Sequence, residues 1–194
     1  MIIIAKIKVL RAADKDMLRS LARAGTCTNS HFQSYGNSKN GISFNRVQQH
    51  IRDGLIATDK YLEKETNRYQ DCYVLTSKGA ELAKERLGVD RVYGSTSRVH
   101  DIALMDKYTS LDSREQDTWR TESDVRYEAY SVFNHYDRQA LEERKLSPPD
   151  AVYTSSDGRV VAYEVITNNY GVAEIQSKEN FAIAFGVELQ TCKI

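Results

Sequence analysis

Apolar side chains recur at helical spacing in the first part of the chain. Residues 14–24 form a predicted helix. Its apolar face consists of Met17, Leu18, Leu21 and Ala22. Asp14 is the predicted amino-terminal cap, and Gly25 supplies the left-handed residue that ends the helix. Thr28 is predicted to cap a short second helix, which ends at Gly36. The chain is therefore expected to begin with two short helices.

A third helix is predicted over residues 43–53, after Gly41. Its apolar stripe, which we expect to be buried, consists of Phe44, Val47, Ile51 and Leu55. The opposite face is polar and basic, with Asn45, Arg46, Gln49 and Arg52, and with Gln48 at its edge. An amphipathic helix packs its apolar stripe against the core and leaves the other face for solvent or a ligand.

The pattern then changes to the alternation that is typical of strands. Residues 58–64 and 69–75 are predicted strands, separated by a polar turn. The run from Thr76 to Gly79 opens a further helix, which Gly88 closes. Three helices, a two-stranded ribbon and a closing helix follow the order of a winged helix-turn-helix. We therefore predict a winged-helix domain over residues 1–88.

The third helix and the ribbon carry side chains that suit double-stranded DNA. Arg, Asn and Gln form paired hydrogen bonds with base edges in the major groove, and Asn45, Arg46, Gln48, Gln49 and Arg52 supply them. On the ribbon, Lys60, Lys64 and Arg68 are candidates for phosphate contacts. Two alternatives remain at this point: the polar face is merely solvated, or the domain binds another protein.

The second part of the chain reads as a separate α/β domain. Residues 89–97 are a predicted linker, and residues 98–194 are the predicted second domain. We expect helices over 99–108 and 135–145 and strands over 119–122 and 125–133. Residues 175–189 pair an amphipathic helix with a strand. The predicted fold class is thus α+β, with a mixed sheet in the second domain.

The sequence between residues 148 and 166 predicts a β-hairpin with its turn at 156–158. If the loop has three residues and Gly158 is left-handed, Asp150 lies directly across from Glu164. Their β-carbons are then about 5 Å apart on one face of the sheet. Such a pair favours a cation, and Mg²⁺ takes carboxylate oxygens and activates water toward phosphate. A two-residue loop would place the carboxylates on opposite faces.

These residues resemble the PD-(D/E)xK nuclease superfamily, because Pro149-Asp150 is followed by Glu164 in a hydrophobic strand. The whole chain, over roughly residues 10 to 185, resembles the replication-relaxation family of plasmid and mobile-element proteins. The order of short motifs carries this resemblance: Leu75-Thr76-Ser77-Lys78-Gly79, His100-Asp101-Ile102-Ala103-Leu104, Trp119 with Glu122, Pro149-Asp150, Tyr163-Glu164-Val165, and a helix with Glu174 and Lys178. That family joins an amino-terminal winged helix to a nuclease-like domain.

The resemblance implies roles for several side chains. Asp150 and Glu164 would bind the metal, and Asp101 or Glu122 would add a third carboxylate. The lysine that the superfamily places two residues after the glutamate is replaced by Ile166. The lysine stabilises charge during attack on phosphorus, so its loss weakens catalysis unless another lysine takes its place. Lys178 on the next helix is the candidate; otherwise the domain is a degenerate nuclease.

Composition narrows the function classes. The 194 residues carry 27 acidic and 27 basic side chains, yet residues 1–95 have 16 basic against 10 acidic and residues 96–194 have 11 against 17. The net charges of the two parts are therefore +6 and −6, as expected of modules with different partners. We expect no membrane span, no secretion signal and a reducing cytoplasmic location. The chain contains no Walker A, GxSxG or zinc-finger pattern, so we expect no nucleotide cofactor.

The sequence alone thus favours a sequence-specific DNA-binding protein of a plasmid, phage or integrated element. It would act in replication, transfer or transcription control, with double-stranded DNA as its partner and a homodimer as an alternative assembly. An active Mg²⁺-dependent endonuclease or nickase is one alternative function. A protein–protein adaptor in which neither part touches DNA is a weaker one.

Overall fold

The computed structural model describes residues 9–35 and 41–194. The chain divides into two compact units, Met1–Thr109 and Ser110–Ile194. The predicted boundary lay earlier, at residues 89–97, and it assigned the helix over 99–108 to the second domain. That helix belongs to the first unit, because its side chains are bonded there: Asp101 to Thr26, and Asp106 to His31.

The first unit contains four α-helices and three strands among its described residues. In chain order they are α1 (Ala12–Ala24), β1 (Thr26–Cys27), a 3-10 helix (Asn29–Ser34), α2 (Phe44–Arg52), β2 (Ile56–Glu63), β3 (Arg68–Leu75), α3 (Ser77–Leu87) and α4 (Arg98–Ser110). The strands form an antiparallel sheet in the order β1-β3-β2. The predicted glycine stop at Gly36 lies outside the described residues.

The core of the first unit is built by α1 and the strands behind it. Met17, Leu18 and Leu21 are fully buried, as the helical spacing predicted. The stripe predicted for α2 is wrong at Phe44, which is about half exposed; the buried residues of this helix are Val47 and His50. The amino-terminal cap of α1 is Arg11, and Asp14 instead accepts the Arg11 backbone N–H from the first turn.

The second unit contains four further helices and four strands. These are α5 (Ser113–Asp117), β4 (Arg120–Thr121), α6 (Glu122–Val132), α7 (His135–Glu142), β5 (Ala151–Thr154), β6 (Val160–Ile166), α8 (Val172–Phe185) and β7 (Glu188–Lys193). The sheet has the order β4-β5-β6-β7 and is mixed, because β7 runs parallel to β6 while the other pairs are antiparallel. The prediction of a mixed α+β architecture is confirmed.

The strand predicted over 125–133 is wrong, because residues 122–132 form helix α6. Val125, Ala129 and Phe133 are all buried, and their spacing of four residues matches one face of a helix. Thr121 and Asp124 form a capping box at the amino end of α6. The aromatic and β-branched residues in this segment obscured both signals.

The core of the second unit lies between the sheet and the helices that cover it. Phe181 of α8 stacks with Phe185 and contacts Phe133 at the end of α6. Trp119 is buried and stacks on Tyr153 of β5, as expected of a core anchor. In the part of the chain that the structure describes, no helix is long and apolar enough to cross a membrane.

Candidate functional site

Helix α2 presents the polar face that the sequence assigned to base recognition. The Ser43 hydroxyl caps the helix by accepting the Arg46 backbone N–H. Asn45 and Arg52 are exposed, whereas Gln48 and Gln49 are partly buried. The side chains that extend from this face into solvent are therefore those of Asn45 and Arg52, with Gln48 beside them.

Arg46 is bound into the interior of the first unit. Its Nε and one terminal nitrogen lie 2.9 and 2.6 Å from the two carboxylate oxygens of Asp14, and the other terminal nitrogen donates to Gln49 Oε1 at 2.9 Å. His50 Nε2 lies 2.9 Å from the same carboxylate. Burial opposes ionisation of Asp14, but the hydrogen bonds from Arg46 and His50 outweigh it and lower its pKa to about 2. Arg46 thus stabilises the fold.

The ribbon formed by β2 and β3 carries the predicted phosphate contacts. The side chains of Lys60, Lys64 and Arg68 are all exposed. Among the described residues none of the three forms an ion pair. These cations are therefore available to an anionic partner. Asp59 on the same ribbon is held by Arg98 Nε at 2.8 Å, which removes one opposing charge.

Asp101, the candidate third metal ligand, is fully buried in the first unit. Its Oδ2 accepts the Thr26 hydroxyl at 3.1 Å and lies 3.6 Å from the Arg98 guanidinium. The first contact ties α4 to β1, and Arg98 of α4 in turn binds Asp59 of the ribbon. Within the first unit, Asp101 therefore acts as a packing contact between elements.

In the second unit, the hairpin register is the one that a three-residue loop predicts. Ser155 N–H donates to Arg159 O at 2.8 Å, and Gly158 has a φ of +86°. The strands pair Ala151 with Tyr163, so the next position outward sets Asp150 across from Glu164. The conditional prediction of the sequence is confirmed at this point.

Asp150 and Glu164 are buried, and each carboxylate accepts a backbone N–H from the opposite segment of the hairpin. Asp150 N–H donates to Glu164 Oε2 at 2.9 Å, and Val165 N–H donates to Asp150 Oδ2 at 2.8 Å. The exposed fractions of the two residues are 5% and 1%. Two neighbouring carboxylates that are buried away from solvent require a positive charge or a proton nearby.

Lys178 supplies the positive charge. From helix α8 its Nζ lies 3.0 Å from Glu164 Oε1 and donates to Pro148 O at 2.7 Å. The Tyr170 hydroxyl donates to the same Oε1 at 2.9 Å. We refer to Asp150, Glu164, Tyr170 and Lys178 as the carboxylate–lysine cluster. The structure thus brings Lys178 to the pair from a helix that follows it in the chain.

The electrostatics of the cluster favour proton exchange at Glu164. Burial and the neighbouring Asp150 raise the pKa of Glu164 to about 7, against the opposing effects of Lys178 and Tyr170. Burial and the Glu164 charge also raise the pKa of Tyr170, which keeps its hydroxyl as a donor. A buried carboxyl that titrates near neutral pH suits general acid–base chemistry or exchange of a proton for a cation.

Glu122 contacts the cluster through its backbone, and its side chain binds elsewhere. Its N–H donates to Asp150 O at 3.0 Å, and its side chain forms an ion pair with Arg126 at 2.9 Å. Among the described residues, no group of three or more His, Cys, Asp or Glu side chains is placed to hold a metal ion. Two carboxylates are thus the available metal donors in the cluster.

Tyr170 is the cluster member that sequence reasoning missed. It follows β6 in a turn before α8, and no motif distinguishes it from the other tyrosines. Its role depends on the turn at residues 167–171, which returns its hydroxyl to Glu164.

Comparisons of the chain with models of protein families, with curated proteins and with solved structures found no match.

Proposed function

We propose that this protein binds double-stranded DNA through its first unit, which we interpret as a winged helix. The observation that carries the proposal is the succession of α2 and the β2–β3 ribbon, both with exposed polar and basic side chains. In a winged helix the recognition helix precedes the strands of the wing, and the helix enters the major groove. The positive charge of residues 1–95 supports the same partner.

In this proposal, base reading and phosphate contact are divided between two elements. Asn45, Gln48 and Arg52 face the major groove, where their side chains suit adenine and guanine edges. Lys60, Lys64 and Arg68 meet the phosphates, which set the register of the protein on DNA. The structure assigns Arg46 to the Asp14 carboxylate, so we leave it out of the reading face.

The resemblance to the replication-relaxation family supports a role on a plasmid, phage or integrated element. We propose that the protein acts in the control of replication, transfer or transcription of such an element. The second unit would then serve as a nuclease-like scaffold that dimerises or adds DNA contacts. A cytoplasmic location follows from this role.

The recognition helix is tested by the change Arg52→Ala. Loss of a paired contact to a base costs roughly 1–3 kcal/mol, so we expect affinity for duplex DNA from the protein's own locus to fall about tenfold or more. The measurement is fluorescence anisotropy at two salt concentrations. Lys84→Ala is the matched control, because Lys84 is also a basic residue in the last turn of a helix of this unit. Equal affinities of the two variants would refute the assignment of α2.

A second candidate function is metal-dependent cleavage of DNA by the second unit. The observation that favours it is the approach of Lys178 to Glu164, beside Asp150, at the place where the superfamily lysine is missing. In this function Asp150 and Glu164 would hold Mg²⁺, which supplies an activated water for attack on phosphorus. Lys178 would stabilise the charge that develops on the phosphate as one P–O ester bond breaks and the leaving oxygen takes up a proton.

Cleavage is tested on supercoiled plasmid DNA that carries the protein's own locus, with Mg²⁺ or Mn²⁺. If the cluster is catalytic, we expect nicking or linearisation that requires metal and falls at least a hundredfold in both Asp150→Asn and Lys178→Met. Melting curves of both variants show whether they remain folded. If the plasmid stays intact while the protein still shifts DNA in a gel, the cleavage proposal is refuted and the DNA-binding proposal stands.

A further inference from the structure

A second feature of the second unit is a cleft of about 590 Å³ between α6, α8 and the loop that follows α7. Its lining includes Arg126 from α6, Arg144 and Ser147 from the loop, and Glu174 and Ser177 from α8. The volume is within the range of sites that hold a nucleotide-sized ligand. Two arginines from separate elements thus line one space.

Arg144 is the arginine that the loop after α7 contributes to the lining of the cleft. It has a φ of +59°, in the left-handed region where Gly and Asn are favoured and other residues are strained. Its side chain is exposed and forms no ion pair among the described residues. A position that suits Gly or Asn for the backbone therefore holds a cation at the mouth of the cleft.

The residues that line the cleft carry two positive charges, on Arg126 and Arg144, and one negative charge, on Glu174. Arg126 is paired with Glu122 at 2.9 Å, but both side chains are about 40% exposed, and such a pair is weak in water. Glu174 is the acidic residue among those that line the cleft. Guanidinium groups bind phosphate oxygens in pairs, so a phosphate group suits the two arginines.

The cleft adjoins the carboxylate–lysine cluster through consecutive residues of two segments. Ser147 N–H donates to Ser177 O at 3.1 Å, and the next residues, Pro148 and Lys178, are joined by the 2.7 Å bond from Lys178 Nζ to Pro148 O. Ser147 and Ser177 line the cleft, whereas Lys178 belongs to the cluster. The lining of the cleft is therefore one residue from Lys178 on α8 and three residues from Asp150 on the other segment.

We propose that this cleft binds a phosphate of a nucleic-acid strand through Arg126 and Arg144, beside the carboxylate–lysine cluster. The inference rests on the proposed action of the protein on nucleic acid, but it does not require cleavage. It gives the acidic second unit a local cationic site for the strand. Glu174 opposes the anion, so its charge sets how tightly the strand is held.

The test is an NMR titration of the full chain, without metal, with the 5′-phosphorylated thymidine dinucleotide. This probe is too short to be read by a helix in the major groove. We expect the amide signals of Arg144, Ser147 and Ala173 to shift, with an apparent Kd about tenfold weaker in Arg144→Asn and a few-fold tighter in Glu174→Gln. Arg144→Lys is the matched control, which keeps the charge and should retain most of the affinity.

Four further outcomes are informative. Thymidine without phosphate should leave these signals unchanged, whereas an equal response to it would overturn the assignment to phosphate. Binding of inorganic phosphate without binding of the dinucleotide would also overturn the proposal, because the site would then serve a free anion. Dinucleotide binding that Arg144→Asn leaves intact would refute the cleft as the site. Loss of plasmid cleavage in every variant, with dinucleotide binding retained, would remove the enzymatic function alone.

Discussion

In the first unit, the Asp14 carboxylate forms hydrogen bonds with the side chains of Arg46 and His50. The sequence had indicated that Arg46 lies on a solvent-exposed face. Asp14 is fully buried and receives hydrogen bonds from Arg46, His50 and the Arg11 backbone. A buried carboxylate of low pKa requires these donors, and removal of one leaves an uncompensated charge. For this reason a loss of DNA binding in an Arg46 variant would report on stability, and Arg52 is the appropriate position for the binding test.

Glu164 makes the stability of the second unit depend on pH. Its pKa of about 7 in the folded chain exceeds the unfolded value of about 4.3, so the folded state holds the proton more tightly. The stabilisation is therefore complete below about pH 4 and is lost as pH rises through 7. We expect the free energy of unfolding to fall by on the order of 2 kcal/mol between pH 5 and pH 8 from this group.

The measurement is urea denaturation at several pH values in the wild type and in Glu164→Gln. The quantity of interest is the difference between the two slopes, because all other titratable groups are common to both proteins. Glu179→Gln, which removes an exposed carboxylate from α8, should leave the slope unchanged. A slope in Glu164→Gln that equals the wild-type slope would rule out a raised pKa at Glu164.

At the scale of elements, the turn of the β5–β6 hairpin determines which residues meet in the carboxylate–lysine cluster. The three-residue turn sets the register, and the register places Asp150 and Glu164 together. A slip by one residue would turn one carboxylate to the other face of the sheet. The geometry of the cluster therefore depends on the conformation of Gly158.

Gly158→Ala tests this dependence. Gly158 has a φ of +86°, and no atom lies within 4 Å of an added β-carbon, so the cost is conformational. We expect the free energy of unfolding to fall by about 1 kcal/mol, since alanine tolerates the left-handed region poorly. Gly158→Asn should recover part of the loss, because asparagine enters this region more readily. Thermal or urea denaturation measures both, and unchanged stability in the alanine variant would contradict the turn conformation.

Helix α6 shows how element type can be misread from composition. Its tyrosines and valines favour a strand, but the spacing of Val125, Ala129 and Phe133 and the Thr121–Asp124 cap both indicate a helix. Periodicity reflects which face is buried, and it outweighs the intrinsic preferences of single residues here. The same rule predicted α1 correctly from Met17, Leu18 and Leu21.

At the scale of the whole molecule, the charges and the structural units divide the chain in similar ways. Residues 1–95 have a net charge of +6, and the recognition helix and ribbon of the DNA-binding proposal lie among them. Residues 96–194 have a net charge of −6, which repels DNA except at a local cationic site. Three proposals can therefore be tested with separate variants. Arg52 variants test binding to duplex DNA, Asp150 variants test DNA cleavage, and Arg144 variants test binding of a phosphate in the cleft.

The sequence by itself determined the order of α1, α2, β2, β3 and α3, and it tied the pairing of Asp150 with Glu164 to a three-residue loop. Both follow from local rules, namely helical spacing, glycine stops and the geometry of a short turn. Only the tertiary structure decided that Arg46 binds Asp14, that Lys178 reaches Glu164, and that Tyr170 donates to the same carboxylate. These contacts join residues distant in the chain or across an irregular turn, and packing, rather than spacing along the chain, brings them together.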